Sequence, residues 1–318
     1  MILLLCCCAA AAAAAENPPQ GKQLYDALYS VGYHNNTNLH HAGHLLTAVS
    51  RLTRLSGHLH SVLDVGCSHG AVVQKLWRRG LSANGVDISS LAVEKAVHHR
   101  MAPATGSPPR CLLQPCFQVA KADNLPFADG QFDAIMSSDV LEHVEAGDVV
   151  NAVAEVARVA RRFIVLKISN RAESNVKELN QVRMHAGRSF NLHATIQGPS
   201  FWIRKFAEHG WSLHHMLEAE PHDRNYLRGA GLGLPWECCS YVFQPNSAPG
   251  ARELARREMA SMRSQRWFEM ADRCVHWRRS YCNATVGEGD INPAVEASRG
   301  RWVYHRGAAV PSVDWRHI

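Results

Sequence analysis

Short apolar runs alternate with longer amphipathic stretches between residues 61 and 170. The apolar runs predict strands at Ser61–Val65, Asn84–Ile88, Cys116–Ala120, Phe132–Ser137 and Arg162–Ile168. The stretches between them predict helices near residues 70–80, 89–100, 140–145 and 147–160. Because apolar strands that alternate with helices are typical of a parallel sheet covered on both faces, the pattern predicts an α/β fold.

The chain on either side of this region carries weaker signals. Apolar residues at helical spacing predict a helix in a lead-in segment, residues 17–60. Residues 171–200 are polar and irregular, and a helix is predicted after them at Pro199–His209. Two last strands are predicted at Trp211–Leu217 and Glu237–Gln244.

We therefore expect one domain over residues 61–246 and a C-terminal extension over residues 247–318. The chain has 318 residues, of which 46% are hydrophobic, so a sizeable core is available. Its formal net charge is +6, and arginine is concentrated in residues 251–280. A basic segment can attract RNA, anionic glycans or a membrane surface. We favour a solvated amphipathic helix there, followed by a Trp-containing loop region.

The N-terminus carries an unbroken apolar run over residues 2–15, which Glu16 ends. Its length fits the apolar core of a secretory signal and is shorter than the ~20 residues that span a bilayer. A basic segment before the run is missing. We predict a signal peptide or short signal anchor over residues 1–16, and hence a lumenal or secreted protein. A cytoplasmic protein is the alternative, and no stable membrane span is expected unless the leader is retained as an anchor.

The cysteines are compatible with either compartment. Cys111 and Cys116, like Cys274 and Cys282, are close enough in sequence to form a disulfide in an oxidising lumen. Cys67 is expected to be a free, packed thiol. Glycosylation tripeptides at residues 35–37 and 283–285 agree with secretion but are common by chance.

A glycine-containing loop follows the first predicted strand, over Asp64–Gly70. Glycines let a backbone approach a ligand closely, and the following helix presents free N–H groups to it. Such a loop alone also suits nicotinamide or flavin dinucleotides. The second strand adds Asp87, some twenty residues later, whose carboxylate can accept both hydroxyls of a ribose.

Two further motifs follow the third and fourth strands. The first reads Ala-Asp-Asn-Leu-Pro-Phe over residues 122–127, and the second runs from Asp133 to Val144. With these motifs, residues 60–245 resemble the class I S-adenosylmethionine-dependent methyltransferases, in particular the small-molecule type 11 group. The resemblance implies a Rossmann-like sheet of seven strands, mostly parallel, in the order 3-2-1-4-5-7-6. It also implies an antiparallel last strand and helices on both faces.

The resemblance also implies a site for S-adenosylmethionine at the ends of these strands. Its methionine end is expected against Asp64, Gly66 and Gly70, its ribose on Asp87, and its adenine among Asp123, Asn124 and Leu125. The remaining expected cofactor contacts are Ile88, Ser138 and Ser68. Ser68 is a departure, because the family has glycine there, but serine is small enough for a close approach.

The residues Asp139, Glu142 and His143 form a compact group after the fourth strand. They are similar to the Glu-x-x-Glu-His cluster of ubiquinone-biosynthesis O-methyltransferases and small-RNA 2′-O-methyltransferases, in which a metal holds the acceptor hydroxyl. Aspartate at the first position is one methylene shorter, so we treat a divalent metal as an alternative and do not favour it. His143 and His193 are predicted to be the bases that activate an oxygen nucleophile.

We therefore predict methyl transfer to an oxygen of a small-molecule or glycan acceptor. One alternative is an RNA or protein methyltransferase that uses the basic segment, although nucleic acid is not the favoured partner. Another is a non-catalytic Rossmann-like binding module. A nicotinamide-dependent oxidoreductase has no natural role for Asp123 or for the group at Asp139–His143.

Overall fold

The computed structural model describes residues 21–33, 40–55, 59–100, 110–169, 177–186, 192–214, 240–248, 303–305 and 308–310. The predicted leader, both glycosylation tripeptides, Cys274, Cys282 and the basic segment 251–280 lie outside the described residues. No helix in the described part of the chain is long and apolar enough to cross a membrane.

A seven-stranded sheet forms the centre of the described structure. Its strands are β1 (Ser61–Val65), β2 (Ser82–Asp87), β3 (Phe117–Val119), β4 (Phe132–Ser138), β5 (Ala160–Lys167), β6 (Trp211–Leu213) and β7 (Ser240–Pro245). Their order is β3-β2-β1-β4-β5-β7-β6. The strands from β3 to β5 pair in parallel, whereas β7 is antiparallel to both β5 and β6. The predicted strand order and the antiparallel last strand are confirmed.

The helices of the described residues surround this sheet. They are α1 (Gly21–Ser30), α2 (His40–Leu55), α3 (Ala71–Arg78), α4 (Ser90–Arg100), α5 (Val149–Val159), α6 (Lys177–Ala186) and α7 (Pro199–Glu208). The helix predicted near residues 140–145 is a single 3₁₀ turn, Leu141–His143. A separate strand pair, β8 (Val303–His305) and β9 (Ala308–Val310), lies in the extension, where no strand was predicted.

Two apolar cores bury the two faces of the sheet. One contains Val153 and Val156 of α5 and Phe206 of α7, together with strand residues such as Ile135. The other contains residues of α2 and α3, including Val49 and Leu76, against alternate strand residues. Since every residue of β1 is buried, its sequence has no polar face. This double covering explains why the strands appear as continuous apolar runs.

Helix α6 contradicts the prediction that residues 171–200 are irregular. Its sequence is mostly polar, but Leu179 and Val182 lie on one face and are buried. They form a third small core with Leu24 and Leu28 of α1 and with Leu192. The helix is therefore stabilised by a partner that is distant in sequence, which local periodicity does not reveal.

The cysteines of the described residues follow the sequence expectations. Cys67 is buried and free, as predicted. Cys111 and Cys116 form a disulfide in the segment that leads into β3. The side chain of Asn84 fixes the same segment, since its amide nitrogen donates to Leu113 O (2.8 Å) and its amide oxygen accepts from Leu112 N (2.9 Å).

Candidate cofactor and acceptor site

The carboxyl ends of β1, β2, β4 and β5 lie at one edge of the sheet, because these strands are parallel neighbours. Asp64 lies near the end of β1, Asp87 ends β2, and Ser138 ends β4. The predicted site residues from three separate motifs therefore share this edge. In open α/β sheets a ligand binds outside the carboxyl ends of the strands.

The loop after β1 requires glycine at two positions. Gly66 has φ +78°, and a Cβ there would lie 2.2 Å from Cγ2 of Val140. Gly70 has φ +69°, and a Cβ there would lie 2.6 Å from the ring of Phe117. The loop is thus packed against the segments that follow β4 and begin β3, and a side chain at either glycine would displace it.

Ser68 also adopts the left-handed conformation, with φ +50°. This conformation costs a non-glycine residue roughly 1–2 kcal/mol, which explains why glycine is the family's residue here. The Ser68 N–H donates to Oδ2 of Asp87 at 2.8 Å, and this bond holds the strained residue in place. The departure predicted from the sequence is therefore accommodated by Asp87.

Asp87 is fixed by backbone donors on both carboxylate oxygens. Oδ1 accepts from Ser89 N (2.9 Å) and Oδ2 from Ser68 N (2.8 Å). Burial raises the pKa of Asp87 to about 6, although the two N–H donors act in the opposite direction. Each oxygen keeps one lone pair for a further donor, which is what the two hydroxyls of a ribose require.

Asp64 is a second buried carboxyl beside Asp87. Burial and the neighbouring charge of Asp87 raise the pKa of Asp64 to about 7. Two buried carboxyls that repel each other in their ionised forms favour a cationic ligand between them and solvent. The electrostatics of this edge therefore suit a positively charged group.

The residues predicted to surround an adenine follow β3. Asp123 is half-buried and binds Nζ of Lys121 at 2.8 Å, whereas Asn124 is exposed. Leu125 is buried, and its N–H donates to Oε2 of Glu155 at 2.8 Å. The backbone of this segment is thus anchored to α5. Ile88, the remaining predicted contact, lies just after β2 and is half-buried.

Glu142 lies in the 3₁₀ turn after β4 and is completely buried. Its Oε1 accepts from Ser169 N at 2.9 Å, while its Oε2 has no hydrogen-bond partner among the described residues. Burial and the nearby charge of Asp139 raise the pKa of Glu142 to about 8. Burial thus favours the protonated form of the Glu142 carboxyl.

Asp139, the first residue of the predicted cluster, is engaged elsewhere. Its Oδ1 forms an ion pair with Nζ of Lys167, and its Oδ2 accepts from Ser138 Oγ at 2.9 Å. Its backbone is left-handed, with φ +55°, and its N–H donates to Lys167 O at 2.8 Å. Ser138, predicted as a cofactor contact, thus directs its hydroxyl to Asp139.

The segment 192–195 is attached to the 3₁₀ turn and brings the two predicted histidines together. Thr195 N donates to Glu142 O (2.9 Å), and Thr195 Oγ1 donates to Val144 O (2.7 Å). As a result, the rings of His143 and His193 lie edge to face, with centroids 4.7 Å apart. One ligand atom from each of Glu142, His143 and His193 lies within 4.8 Å of the others.

The tautomer of His143 follows from its neighbour. Nδ1 of His143 lies 3.1 Å from the carbonyl oxygen of Leu192. A carbonyl can only accept, so Nδ1 carries the proton and Nε2 of the neutral ring is the basic nitrogen. This arrangement is that of an oriented general base.

Helix α1 was not predicted from the sequence. It contacts both the segment that follows Asp87 and the ring of His143. Asp26 accepts from Ser89 Oγ (2.6 Å) and Ser90 Oγ (3.1 Å), and so joins α1 to the start of α4. On the same helix, the ring centroid of Tyr25 lies 6.0 Å from that of His143. The apolar spacing that predicts a helix in the lead-in segment lies at residues 45–55, within α2, so α1 had no signal in the sequence.

Comparisons with known proteins agree with this architecture. The family model described as "Methyltransferase domain" matches residues 63–163. The chain is 33% identical over 98 residues to the ubiquinone biosynthesis O-methyltransferase of Albidiferax ferrireducens, covering 30% of this chain and 36% of that protein. The protein of the same name from Chromobacterium violaceum is 31% identical over 83 residues, which are 26% of this chain and 33% of that protein. The chain spans about a third of the length of the curated relatives it matches.

Similar solved structures include the YcgJ protein of Bacillus subtilis, with 24% identity and a TM-score of 0.40, covering 54% of this chain and 69% of that one. Another is the magnesium protoporphyrin IX methyltransferase of Synechocystis with bound S-adenosylhomocysteine (SAH). Its identity is 19% and its TM-score 0.39, covering 63% of this chain and 82% of that one.

Proposed function

We propose that the class I S-adenosylmethionine-dependent methyltransferase domain of this chain methylates an oxygen of a small-molecule acceptor. The assignment to this class is supported by the family-model match over residues 63–163 and by the strand order of the sheet. The observation that carries the proposal is the pair His143 and His193, held 4.7 Å apart between ring centroids at the strand edge that bears Asp64 and Asp87.

The described residues fit S-adenosylmethionine. Both oxygens of Asp87 are oriented by backbone donors and can accept the ribose hydroxyls. Asp64 and Asp87 together suit the positive charges of the cofactor's amino group and sulfonium. Gly66 allows the loop after β1 to pack against Val140 at the strand edge where the methionine end is expected.

The chemistry demanded of the protein is orientation and proton removal. When bound, S-adenosylmethionine supplies a methyl group on a positively charged sulfur and leaves as S-adenosylhomocysteine. The protein must hold the acceptor oxygen in line with that methyl group. Nε2 of His143 takes the proton of the acceptor hydroxyl, and His193 stabilises the resulting imidazolium or takes the proton itself.

The acceptor class rests on two kinds of support. The curated relatives are named for O-methylation of a small molecule in ubiquinone biosynthesis. In this chain, the apolar core shared by α1, α6 and Leu192 lies beside the histidines. A small acceptor with an apolar part suits such a boundary better than a charged polymer does, and a glycan is the alternative if the protein is lumenal.

The experiment is a transfer assay with methyl-labelled S-adenosylmethionine and pools of small molecules, lipids, glycans and RNA. We expect label in a small-molecule pool. We expect His143→Ala and His193→Ala to lower the rate by roughly 10²–10⁴-fold, the usual contribution of a general base. Their cofactor affinity, measured by calorimetry, should stay unchanged.

His209→Ala is the matched control, because His209 is exposed at the end of α7. Transfer that survives both site substitutions at the wild-type rate would contradict the base assignment. Cofactor binding without label in any pool would favour a non-catalytic binding module instead.

A polymer substrate is the second candidate, and the arginine-rich segment 251–280 favours it. In that case RNA binding should weaken steeply with salt and be lost on deletion of residues 251–318.

We also propose passage through an oxidising compartment. The apolar run at residues 2–15 and the Cys111–Cys116 disulfide support this localisation. Thiol alkylation of the cellular protein followed by mass spectrometry would test it.

A further inference from the structure

Lys167 and Asp139 form an ion pair at the edge of the candidate acceptor site. Lys167 ends β5 and pairs in register with Ser138, the last residue of β4. The Lys167 ammonium binds the Asp139 carboxylate, and its carbonyl accepts from Asp139 N at 2.8 Å. The two residues are thus joined through both backbone and side chain. Their side chains are 20% and 30% exposed, so the pair is largely withdrawn from solvent.

The metal-binding cluster that the Asp139-x-x-Glu142-His143 pattern resembles would need these donors for a cation. Each oxygen of Asp139 already has a partner, the Lys167 ammonium on one and Ser138 Oγ on the other. The left-handed backbone at Asp139 and its N–H bond to Lys167 O fix the carboxylate in that position. Without Asp139, the group consists of Glu142, His143 and His193, and so it contains a single carboxyl. One oxygen of that carboxyl accepts a hydrogen bond from Ser169 N.

The Lys167 ammonium also acts on Glu142. The charge of Asp139 raises the pKa of Glu142, and the Lys167 ammonium acts in the opposite direction. A divalent ion placed here would face a fixed positive charge in a partly desolvated site. The Lys167 ammonium is therefore a built-in monovalent cation beside Asp139.

We propose that the Lys167 ammonium is the resident cation of the acceptor site and keeps Asp139 out of metal coordination. Lys167 is thereby a positioning residue. It holds the Asp139 carboxylate, which in turn accepts from Ser138, just before the 3₁₀ turn that carries Glu142 and His143. The inference rests on the proposed function only in its corollary, that methyl transfer by this chain needs no divalent metal.

The test is a titration of the full-length, chelator-treated protein with Mn²⁺ alone, followed by calorimetry and by the electron paramagnetic resonance of the free ion. We expect no stoichiometric binding to the wild type. Lys167→Met removes the charge at similar length, and it should create a site that binds Mn²⁺ at least tenfold more tightly than the wild type does. Lys167→Arg should behave like the wild type.

Lys205→Met is the matched control, because Lys205 is similarly exposed (25%) and binds a carboxylate, Glu208, at 2.9 Å on α7. It should not gain a site. The double substitution Lys167→Met with Asp139→Asn should lose the gain, which assigns the new ligand to Asp139. Circular dichroism and cofactor binding verify that each variant is folded.

Stoichiometric Mn²⁺ binding by the wild type would overturn the proposal even if Lys167→Met does not fold. Equal Mn²⁺ affinities of a folded Lys167→Met variant and the wild type would overturn it as well. These readouts do not depend on methyl transfer, so failure of the proposed function is recognised separately, as absence of label in the transfer assay.

Discussion

Asp64 and Asp87 are two buried carboxyls whose pKa values are raised to about 7 and about 6. In the unfolded chain an aspartate titrates near its ordinary value of 3.8. At pH values between 3.8 and these raised pKa values, the folded protein binds more protons than the unfolded chain does. The free energy of unfolding therefore falls as the pH rises through this range. Glu142, with a pKa of about 8, acts in the same direction at higher pH.

We therefore expect the ligand-free protein to lose stability as the pH rises from about 5 to about 8. S-adenosylmethionine, whose positive charges favour the ionised carboxyls, should bind more tightly over the same interval. Thermal unfolding with and without the cofactor, at several pH values, measures both trends. Asp64→Asn should flatten the dependence of the ligand-free protein. A Tm independent of pH in the wild type would contradict the assignment.

Asp87→Asn tests the ribose contact. A hydrogen bond to a charged group contributes about 1.5–3 kcal/mol, so the cofactor should bind roughly 10- to 100-fold more weakly. Calorimetry measures this directly. Asp129→Asn is the control, because Asp129 is 82% exposed and pairs with Arg158. If the Asp87 and Asp129 variants bind S-adenosylmethionine with equal affinity, Asp87 does not contact the ribose.

The residues of the site differ in how far the sequence reveals them. Asp64, Gly66 and Asp87 stand in a recognisable spacing at strand ends, because the backbone and the ligand constrain them together. Lys167 and Tyr25 gave no signal. A lysine at the end of a strand and a tyrosine in an amphipathic helix are ordinary surface or core residues until the tertiary contacts are known.

At the scale of elements, the loop after β1 depends on close packing as much as on backbone freedom. Gly66 and Gly210 have similar φ values, +78° and +82°. A Cβ at Gly66 would meet Val140 at 2.2 Å, whereas a Cβ at Gly210 would meet no atom of the described residues within 4 Å. An alanine at Gly210 would therefore meet backbone strain alone, whereas an alanine at Gly66 would meet backbone strain and steric overlap.

We expect Gly210→Ala to cost roughly 1–2 kcal/mol of unfolding free energy, the cost of a left-handed alanine. Gly66→Ala should cost a further 1–3 kcal/mol or so from overpacking and should also weaken cofactor binding. Chemical denaturation and calorimetry provide the two measurements. If the two variants prove equally stable, the loop is not packed against Val140 as described.

The elements themselves were predictable where burial is complete. The strands β1 and β4 are covered on both faces, and so their apolar runs stand out. β2 begins at Ser82, two residues before its predicted start, because its first half is buried although it is not apolar. Elements stabilised by distant partners were not predictable. α6 has few apolar residues, and α1 contacts α4 and α6, which follow it by dozens of residues. The strand predicted at Trp211–Leu217 is described only over Trp211–Leu213, so its end was placed too late.

At the scale of the whole molecule, residues 21–248 contain the complete seven-stranded sheet. Its last strand, β7, is paired on both sides, with β5 and with β6. Residues beyond 248 add no strand to this sheet among those described. The core that the described residues form is therefore contained in the part of the chain before the extension.

We expect a protein that ends at residue 248 to unfold cooperatively and to bind S-adenosylmethionine as the full chain does. Circular dichroism and calorimetry test these two properties. An unfolded fragment would show that the extension contributes to the core. A folded fragment that binds cofactor but no longer methylates the acceptor would place acceptor recognition in residues 249–318.

The attachment of residues 192–195 to the 3₁₀ turn has a consequence for how related proteins diverge. The backbone of Glu142 and Val144 provides the acceptors, and Thr195 supplies both donors. These hydrogen bonds therefore do not depend on the side chains of Glu142 and Val144. In a set of related genes, the histidine and the threonine should persist while the flanking positions drift. The strand ends that carry Asp64 and Asp87 can in this way persist over evolutionary time while the surface around His193 changes.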